Sequence, residues 1–158
     1  MKLDVFIDGS HLNKQSDNGR LGIGGVIVDM STDKVIDQFS VELTPSFMKT
    51  NFGADKCSNP SAELTALYIA LQRFKDILST ADSVVFHADY LGVKEWMMGN
   101  WKTKESYIAK IKECAEKEIK DQGLTNKVSY VWVKGHQNSS ASKDAYWNNY
   151  VDKLAKGE

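Results

Sequence analysis

Residues 5–13 read VFIDGSHLN, an apolar run that reaches a carboxylate at Asp8 and then changes to glycine and serine. From Leu3 to Asp8 both alternating faces are apolar in the middle, which is typical of a strand at the centre of a sheet. A carboxylate at the end of such a strand belongs either to an ordinary turn or to a site at the sheet edge. Taken alone, Asp8 favours the turn, so the rest of the chain has to decide.

Two further strands are predicted directly after the first one, LGIGGVIVD at residues 21–29 and KVIDQFSVEL at residues 34–43. A short polar turn joins them, so the sheet should begin with three antiparallel strands. The glycine-rich segment at residues 19–25 enters a strand and lacks the spacing of a nucleotide-binding loop. It therefore favours close backbone packing over a phosphate cradle.

Near residue 59 the apolar period changes from two to 3.6, which predicts a helix with Asn59 as its N-cap and Pro60 as its first residue. Its apolar stripe consists of Leu64, Leu67, Leu71, Phe74 and Leu78. The next apolar run, SVVFHAD at residues 83–89, follows a crossover helix and should be a strand parallel to the first.

The remaining segments predict two helices within residues 90–123, a fifth strand at residues 127–136 and a closing helix at residues 144–157, after a polar loop. The expected fold class is α/β, with a five-stranded mixed sheet, three antiparallel strands and then two parallel ones, flanked by helices. Residues 1–158 should form a single domain.

The chain carries 20 basic and 21 acidic residues, a net charge of −1, so any nucleic acid must be met by a local basic patch. Cys57 and Cys114 form no CxxC pair, and we expect two free thiols in a reducing compartment. The amino end lacks a signal-peptide core and nothing approaches a membrane span. We expect a cytoplasmic protein without a membrane partner, and a monomer.

Two aspartates stand at the ends of strands that should be adjacent and parallel, Asp8 and Asp89, where open α/β sheets bind ligands. Glu63 lies one turn into the crossover helix, and Asp152 lies beside the apolar face of the closing helix. If that helix packs on the sheet edge, four carboxylates converge. Such a cluster would raise its own pKa values unless cations compensate. Hard oxygen ligands select Mg²⁺ or Mn²⁺, so two Mg²⁺ ions are the expected cofactor, with Mn²⁺ as a substitute.

Each of these carboxylates also has an ordinary explanation when taken alone. Asp8 precedes a turn-like Gly-Ser pair, Glu63 complements a helix dipole, and Asp89 suits an N-cap. Asp152 resembles a solvated helix residue. Their joint occurrence in this order favours a functional site.

Four short motifs resemble the successive motifs of the type I ribonuclease H family: FIDGS at residues 6–10, SAELTAL at 61–67, HADYLGV at 87–93, and VWVKGHQ with NNYVDKLA at 131–155. The resemblance covers essentially the whole chain. It implies a ribonuclease H-like fold and an endoribonuclease that hydrolyses the RNA strand of RNA–DNA hybrids. By the same resemblance two Mg²⁺ ions take part, and the products carry 5′-phosphate and 3′-hydroxyl ends.

The resemblance also implies roles for particular residues. Asp8, Glu63, Asp89 and Asp152 match the four catalytic, metal-binding carboxylates, and His136 matches the histidine of a mobile loop. Asp8 would bridge both ions, Asp152 would help to hold the ion that activates water, and Glu63 with Asp89 would hold the other. His136 would assist turnover rather than bind metal.

Substrate contacts are expected from two sides of this site. The backbone near the first strand would read 2′-hydroxyl groups, and a family asparagine contacts the hybrid at the position of Asn59. Two tryptophans at helical spacing either pack in the protein or stack on the substrate. The nearby lysines either contact phosphates or are simply solvated surface residues. The expected substrate-binding residues are Gly9, Ser10, Asn13, Asn59, Trp96, Trp101, Lys102 and Lys104, with Lys94 as a further candidate for the basic patch.

Three features depart from the family pattern. Pro60 stands where an amide side chain is often found, so a hydrogen-bond donor is lost there. The spacing from His136 to Asp152 is longer than in compact family members, which predicts an unusually mobile loop around His136. The segment at residues 92–105 is too short for a full basic protrusion.

Two other functions remain open at this point. One is a nuclease of the same superfamily that acts on DNA, such as a resolvase or an integrase core, although the closing motif argues against it. The other is a non-catalytic nucleic-acid-binding relative, which the loss of a carboxylate would favour, but all four carboxylates are present.

Overall fold

The computed structural model describes residues 1–12, 20–55 and 58–158. The strands are β1 (Lys2–His11), β2 (Leu21–Asp29), β3 (Val35–Leu43), β4 (Ser83–Ala88) and β5 (Val128–Trp132). The helices are α1 (Pro45–Phe52), α2 (Asn59–Arg73), α3 (Lys75–Leu78), α4 (Leu91–Met97), α5 (Ser106–Asp121) and α6 (Lys143–Ala155).

The five strands form one mixed sheet in the order β3-β2-β1-β4-β5. The pairs β1–β2 and β2–β3 are antiparallel, whereas β1–β4 and β4–β5 are parallel. The predicted α/β class and strand arrangement are therefore confirmed. Strand β1 lies at the centre of the sheet, and helices bury both of its faces, as its continuous apolar run predicts.

Helices cover the two faces of the sheet unequally. The larger core lies between the sheet and helices that include α2 and α5, and all five residues of the predicted apolar stripe of α2 and α3 are buried in it. A smaller cluster under α6 contains Phe6, Val26, Val28, Trp147 and Val151. Full burial of one large apolar side chain contributes roughly 1.5–3 kcal/mol, so both layers contribute to holding the sheet edge in place.

Glycines allow two helices to approach the sheet closely. A β-carbon at Gly9 would lie 2.3 Å from the carbonyl carbon of Ala62, so α2 crosses β1 directly beside Asp8. On the opposite face, a β-carbon at Gly22 would lie 1.8 Å from the carbonyl oxygen of Ala155 in α6. Gly22, in the glycine-rich segment, therefore serves close backbone packing, as predicted, and together Gly9 and Gly22 bring the two helices to the same end of β1.

The N-cap of α2 is Ser58, and the prediction of Asn59 as the cap is wrong. The Ser58 hydroxyl accepts a hydrogen bond from the Ser61 backbone N–H, and the Ser61 hydroxyl accepts one from the Ser58 backbone N–H. This reciprocal pair satisfies the open helix end one residue earlier than expected. Asn59 becomes the first helical residue, and its side chain is left available for another contact.

Strand β1 does not end at Asp8, as the turn-like sequence suggested. It continues to His11, because Gly9, Ser10 and His11 pair with β2. The parallel pairing with β4, however, extends only to Phe6 opposite His87. Asp8 therefore lies beyond the last β1–β4 pair, at the carboxyl edge of β4, while one side of its strand remains paired.

Helix α1 has no counterpart among the predicted elements. It begins after Thr44, whose hydroxyl accepts a hydrogen bond from Phe47, and it ends at Gly53 with a positive φ of 68°. Only Met48 and Phe52 are buried, which is too short an apolar pattern to predict a helix.

Among the described residues no helix is long and apolar enough to cross a membrane. Cys114 is a free thiol, as expected, and Cys57 lies outside the described residues.

Candidate active site

Three carboxylates meet at the carboxyl edge of β1 and β4. Asp8 projects from β1, Asp89 follows β4, and Glu63 comes from the first turns of α2, where that helix crosses Gly9. One oxygen from each carboxylate lies within 4.8 Å of the others. Asp8 and Glu63 are only 3% and 6% exposed, so the group is withdrawn from solvent.

The Glu63 carboxylate has one satisfied oxygen and one open oxygen. The Gly9 backbone N–H donates to Oε1 at 3.3 Å. Oε2 is buried and has no hydrogen-bond partner among the described residues. Burying a carboxylate oxygen without a partner costs free energy, and a bound cation would remove that cost.

Burial raises the pKa values of all three carboxylates. Burial is the largest cause for Asp8, whose pKa is raised to about 8, with further contributions from the charges of Asp89 and Asp152. Burial and the charge of Asp8 hold the pKa of Glu63 well above its usual value. The pKa of Asp89 is also raised by burial, although an amide contact from Asn148 lowers it.

These properties fit a divalent cation. Three clustered oxygen ligands, one of them unpartnered, provide the hard donor set that Mg²⁺ or Mn²⁺ prefers. A cation would also offset the repulsion that raises the carboxylate pKa values.

Asp152 lies at the rim of this cluster rather than within it. Its side chain is 36% exposed and accepts a hydrogen bond at 3.0 Å from Lys156, the C-cap residue that follows α6. It is still close enough that its charge raises the pKa values of Asp8 and Asp89. The structure thus brings three of the predicted carboxylates into close contact and places the fourth beside them.

Asn148 is a site residue that the sequence interpretation missed. It is 3% exposed, lies one turn before Asp152 in α6, and its Nδ2 donates to Asp89 Oδ2 at 3.4 Å. Residues four apart share a helix face, so its position before Asp152 was the available signal.

His136 lies beside the carboxylates but is exposed. Its backbone has a φ of 57°, and a β-carbon on the preceding Gly135 would lie 3.3 Å from Asp89 Oδ2. The charge of His136 lowers the pKa of Asp89. The following loop is tied to α6, because Asn149 Nδ2 donates to the Gln137 carbonyl at 2.8 Å and to Ser139 Oγ at 2.9 Å.

A family model described as RNase H matches residues 1–158. The chain belongs to the RNase H family. The resemblance drawn from the four motifs is confirmed, and with it the prediction of a ribonuclease H enzyme. No curated protein gives a significant sequence match.

Solved structures with this fold include several RNase H proteins. RNase H1 from the archaeon Halobacterium salinarum is 17% identical with a TM-score of 0.71, covering 98% of this chain and 95% of that one. The N-terminal RNase H domain of a Mycobacterium tuberculosis protein is 21% identical with a TM-score of 0.73, covering 99% and 98%. LC11-RNase H1 in complex with an RNA/DNA hybrid is 17% identical with a TM-score of 0.73, covering 98% and 94%. At these identities the likeness shows the fold.

The first group of predicted substrate-binding residues in this RNase H lies along the end of β1. Gly9 and Ser10 follow Asp8 in the strand, and the His11 backbone N–H donates to Asn59 Oδ1 at 3.1 Å. Asn59 is exposed and joins the start of α2 to this strand end. Asn13 lies outside the described residues.

The second group of predicted residues lines a cavity of about 770 Å³. It includes Trp96, Trp101, Lys102 and Lys104, and it opens between the start of α2 and the segment from Tyr90 to α5. Trp96 is 9% exposed and packs into the core, whereas Trp101 is 40% exposed. Packing therefore accounts for Trp96, and Trp101 remains available for stacking.

Proposed function

We propose that this RNase H hydrolyses the RNA strand of RNA–DNA hybrids with two divalent ions, leaving 5′-phosphate and 3′-hydroxyl ends. The observation that carries the proposal is the convergence of Asp8, Glu63 and Asp89 within 4.8 Å, with Asp152 at the rim. The fold neighbour LC11-RNase H1, which binds an RNA/DNA hybrid, gives additional support.

Asp8, Glu63, Asp89 and Asp152 would hold the ions, which we propose to be Mg²⁺ with Mn²⁺ as a substitute. When bound, such a pair lowers the pKa of an attacking water and stabilises the leaving 3′-oxygen. The protein contributes a rigid, largely buried carboxylate cluster. Because the pKa values of Asp8 and Glu63 are raised, these groups hold protons that must leave when cations bind, since carboxylate ligands must be ionised.

His136 is suited to proton transfer at the rim of the site. The residue is exposed beside Asp89, and imidazole is the side chain most often used for general acid–base catalysis. We propose that its ring nitrogens move protons for the leaving group during turnover and do not bind metal.

The two groups of substrate-binding residues lie at the end of β1 and at the cavity that Tyr90 lines. We propose that Gly9, Ser10 and Asn59 contact the strand that is cut. Trp101, Lys102 and Lys104 would contact the opposite strand at the cavity. The two lysines then provide the local positive surface that the net charge of −1 does not.

A cleavage assay with end-labelled substrates tests this proposal. With Mg²⁺, the enzyme should cut an RNA–DNA hybrid but neither an RNA duplex nor a DNA duplex, and the new 5′ ends should be sensitive to phosphatase. Asp89→Asn should abolish cutting while the fold, measured by circular dichroism, is retained. Cutting of the DNA duplex alone would identify a DNA nuclease, and hybrid binding without cutting would identify a non-catalytic relative.

A further inference from the structure

Tyr90 lies between the carboxylate cluster and the aromatic cavity. It follows Asp89 directly in the sequence and lines the cavity together with Pro60 and Trp96. A ligand that fills the cavity beside Asp89 therefore contacts this side chain.

The Tyr90 ring is held in place from two sides. A β-carbon at Gly92 would lie 2.2 Å from Tyr90 Cε2 and 2.9 Å from its hydroxyl oxygen, so the ring rests against the backbone of Gly92. On another side its ring centroid is 5.7 Å from that of Trp96, at an interplanar angle of 56°. Because the ring is already held, its hydroxyl points in a fixed direction, and little side-chain conformational entropy is lost when a ligand binds.

Helix capping does not explain a tyrosine at this position. Tyr90 is the N-cap residue of α4, where serine, threonine, aspartate and asparagine are preferred, and its side chain makes no capping hydrogen bond. Within residues 1–12, 20–55 and 58–158 no hydrogen bond to its hydroxyl is found. A phenol hydroxyl is both a donor and an acceptor, so it can bind a hydroxyl group of a ligand.

We propose that Tyr90 is a specificity-determining residue that reads the RNA strand from the minor groove. Its hydroxyl donates a hydrogen bond to a 2′-hydroxyl oxygen, and its ring lies against the sugar. This inference rests on the proposed function. A hydroxyl donor that directly follows Asp89 and lines the neighbouring cavity is placed to meet the 2′-hydroxyl groups, which an A-like duplex displays in its minor groove.

The first test compares two conservative variants. Tyr90→Phe keeps the ring and removes the donor, and Tyr146→Phe is the matched control, because Tyr146 is 49% exposed on α6 and does not line the cavity. Tyr90→Phe should lower kcat/KM on the hybrid by roughly 3- to 10-fold, mainly through KM, as expected for one lost hydrogen bond. The control should match the wild type, and the Tm of both variants should stay close to that of the wild type. A Tyr90→Phe variant with unchanged kinetics would overturn the inference.

The second test locates the contact on the substrate. Hybrids are prepared in which one ribonucleotide at a time, on either side of the cut, is replaced by its 2′-deoxy analogue. At one position the wild type should lose the same factor that Tyr90→Phe loses on the intact hybrid, and the variant should lose nothing further there. Equal losses in both enzymes at every position would refute a 2′-hydroxyl contact. If the wild type does not cut hybrids at all, the proposed function itself fails, and this is visible before any variant is compared.

Discussion

At the scale of single residues, two adjacent asparagines serve different parts of the site. Asn148 Nδ2 donates to Asp89 Oδ2 at 3.4 Å, whereas Asn149 Nδ2 bonds to Gln137 and Ser139 of the loop after His136. Both lie on α6, carry the same functional group, and are separated by one helical step. They therefore form a matched pair for testing how the Asp89 carboxylate is supported.

Asn148→Ala should weaken metal binding more than it weakens the fold. The amide lowers the pKa of Asp89, so its removal raises that pKa further and shifts the pH profile of cleavage to higher pH. The Mg²⁺ concentration for half-maximal activity should rise by roughly 10-fold, as is typical when a group that orients a metal ligand is lost. Asn149→Ala should leave the Mg²⁺ requirement unchanged, and an equal shift in both variants would show that Asn148 does not act through Asp89.

The sequence could predict which carboxylates come together but not which side chains surround them. Asp8, Glu63 and Asp89 were identified from strand order and the position of the crossover helix, and the structure brings their oxygens together. Asn148 and Tyr90 were missed because their partners depend on how α6 is rotated and how the ring packs on glycine. Neither quantity can be obtained from the apolar period of a single chain.

At the scale of elements, His87 joins two strands and the helix that carries Asp152. Its Nε2 is 2.8 Å from Asp4 Oδ1 on β1, and its Nδ1 is 3.7 Å from Asp144 Oδ2 in the first turn of α6. Phe6 stacks on the ring with centroids 4.2 Å apart and an interplanar angle of 8°. His87 and Asp4 are each 6% exposed, so their hydrogen bond is shielded from water.

His87→Leu should destabilise the protein by about 2–4 kcal/mol, because it leaves the buried Asp4 carboxylate without its partner. Asp144→Asn should change stability by less than about 0.5 kcal/mol, since Asp144 is 44% exposed and its contact is long. Unfolding in urea measures both effects. A double variant, Asp4→Leu with His87→Leu, should recover part of the loss, whereas a further loss would contradict the account.

The elements themselves were largely predictable, with informative exceptions. The glycine-rich segment predicts close packing, and Gly22 shows it against α6, while Gly9 of β1 makes a similar close contact with α2 on the opposite face of the sheet. The end of β1 was misplaced because a strand can remain paired on one side after pairing on the other has stopped. The start of α2 was misplaced because both Ser58 and Asn59 are good caps, and the reciprocal bond to Ser61 decides between them.

At the scale of the whole molecule, acidic and basic side chains are nearly equal in number but lie in different places. The net charge of −1 conceals a buried acidic cluster at one edge of the sheet and exposed lysines at the cavity. Composition could not reveal this separation, since it depends on the crossover that brings β1 and β4 side by side. We therefore expect the stability of the protein to depend on pH and on cations together.

The metal-free enzyme should lose stability as the pH rises from about 4 to about 8. The pKa of Asp8 is raised from 3.8 to about 8, and that of Glu63 is raised in the same direction, so the folded state binds more protons than the unfolded state across this interval. The contribution of Asp8 and Glu63 to the free energy of unfolding is complete below the pKa that they have in the unfolded chain. It is lost as the pH rises through the pKa that they have in the folded protein. Carboxylates with lowered pKa values, such as Asp29 and Asp82, act in the opposite sense, but only in more acidic solution.

Mg²⁺ should reverse this loss, because it binds the ionised carboxylates and replaces the protons. Thermal unfolding with EDTA and with Mg²⁺, measured at several pH values, should therefore show a Mg²⁺-induced rise in Tm that is larger near pH 8 than near pH 6. Asp8→Asn removes the main titrating group, so in EDTA it should be more stable than the wild type near pH 8 by about 1–3 kcal/mol and should respond less to Mg²⁺. If the wild type with EDTA were equally stable at both pH values, the carboxylates would not be competing for charge in the folded protein, and the reason for expecting cations at this site would be lost.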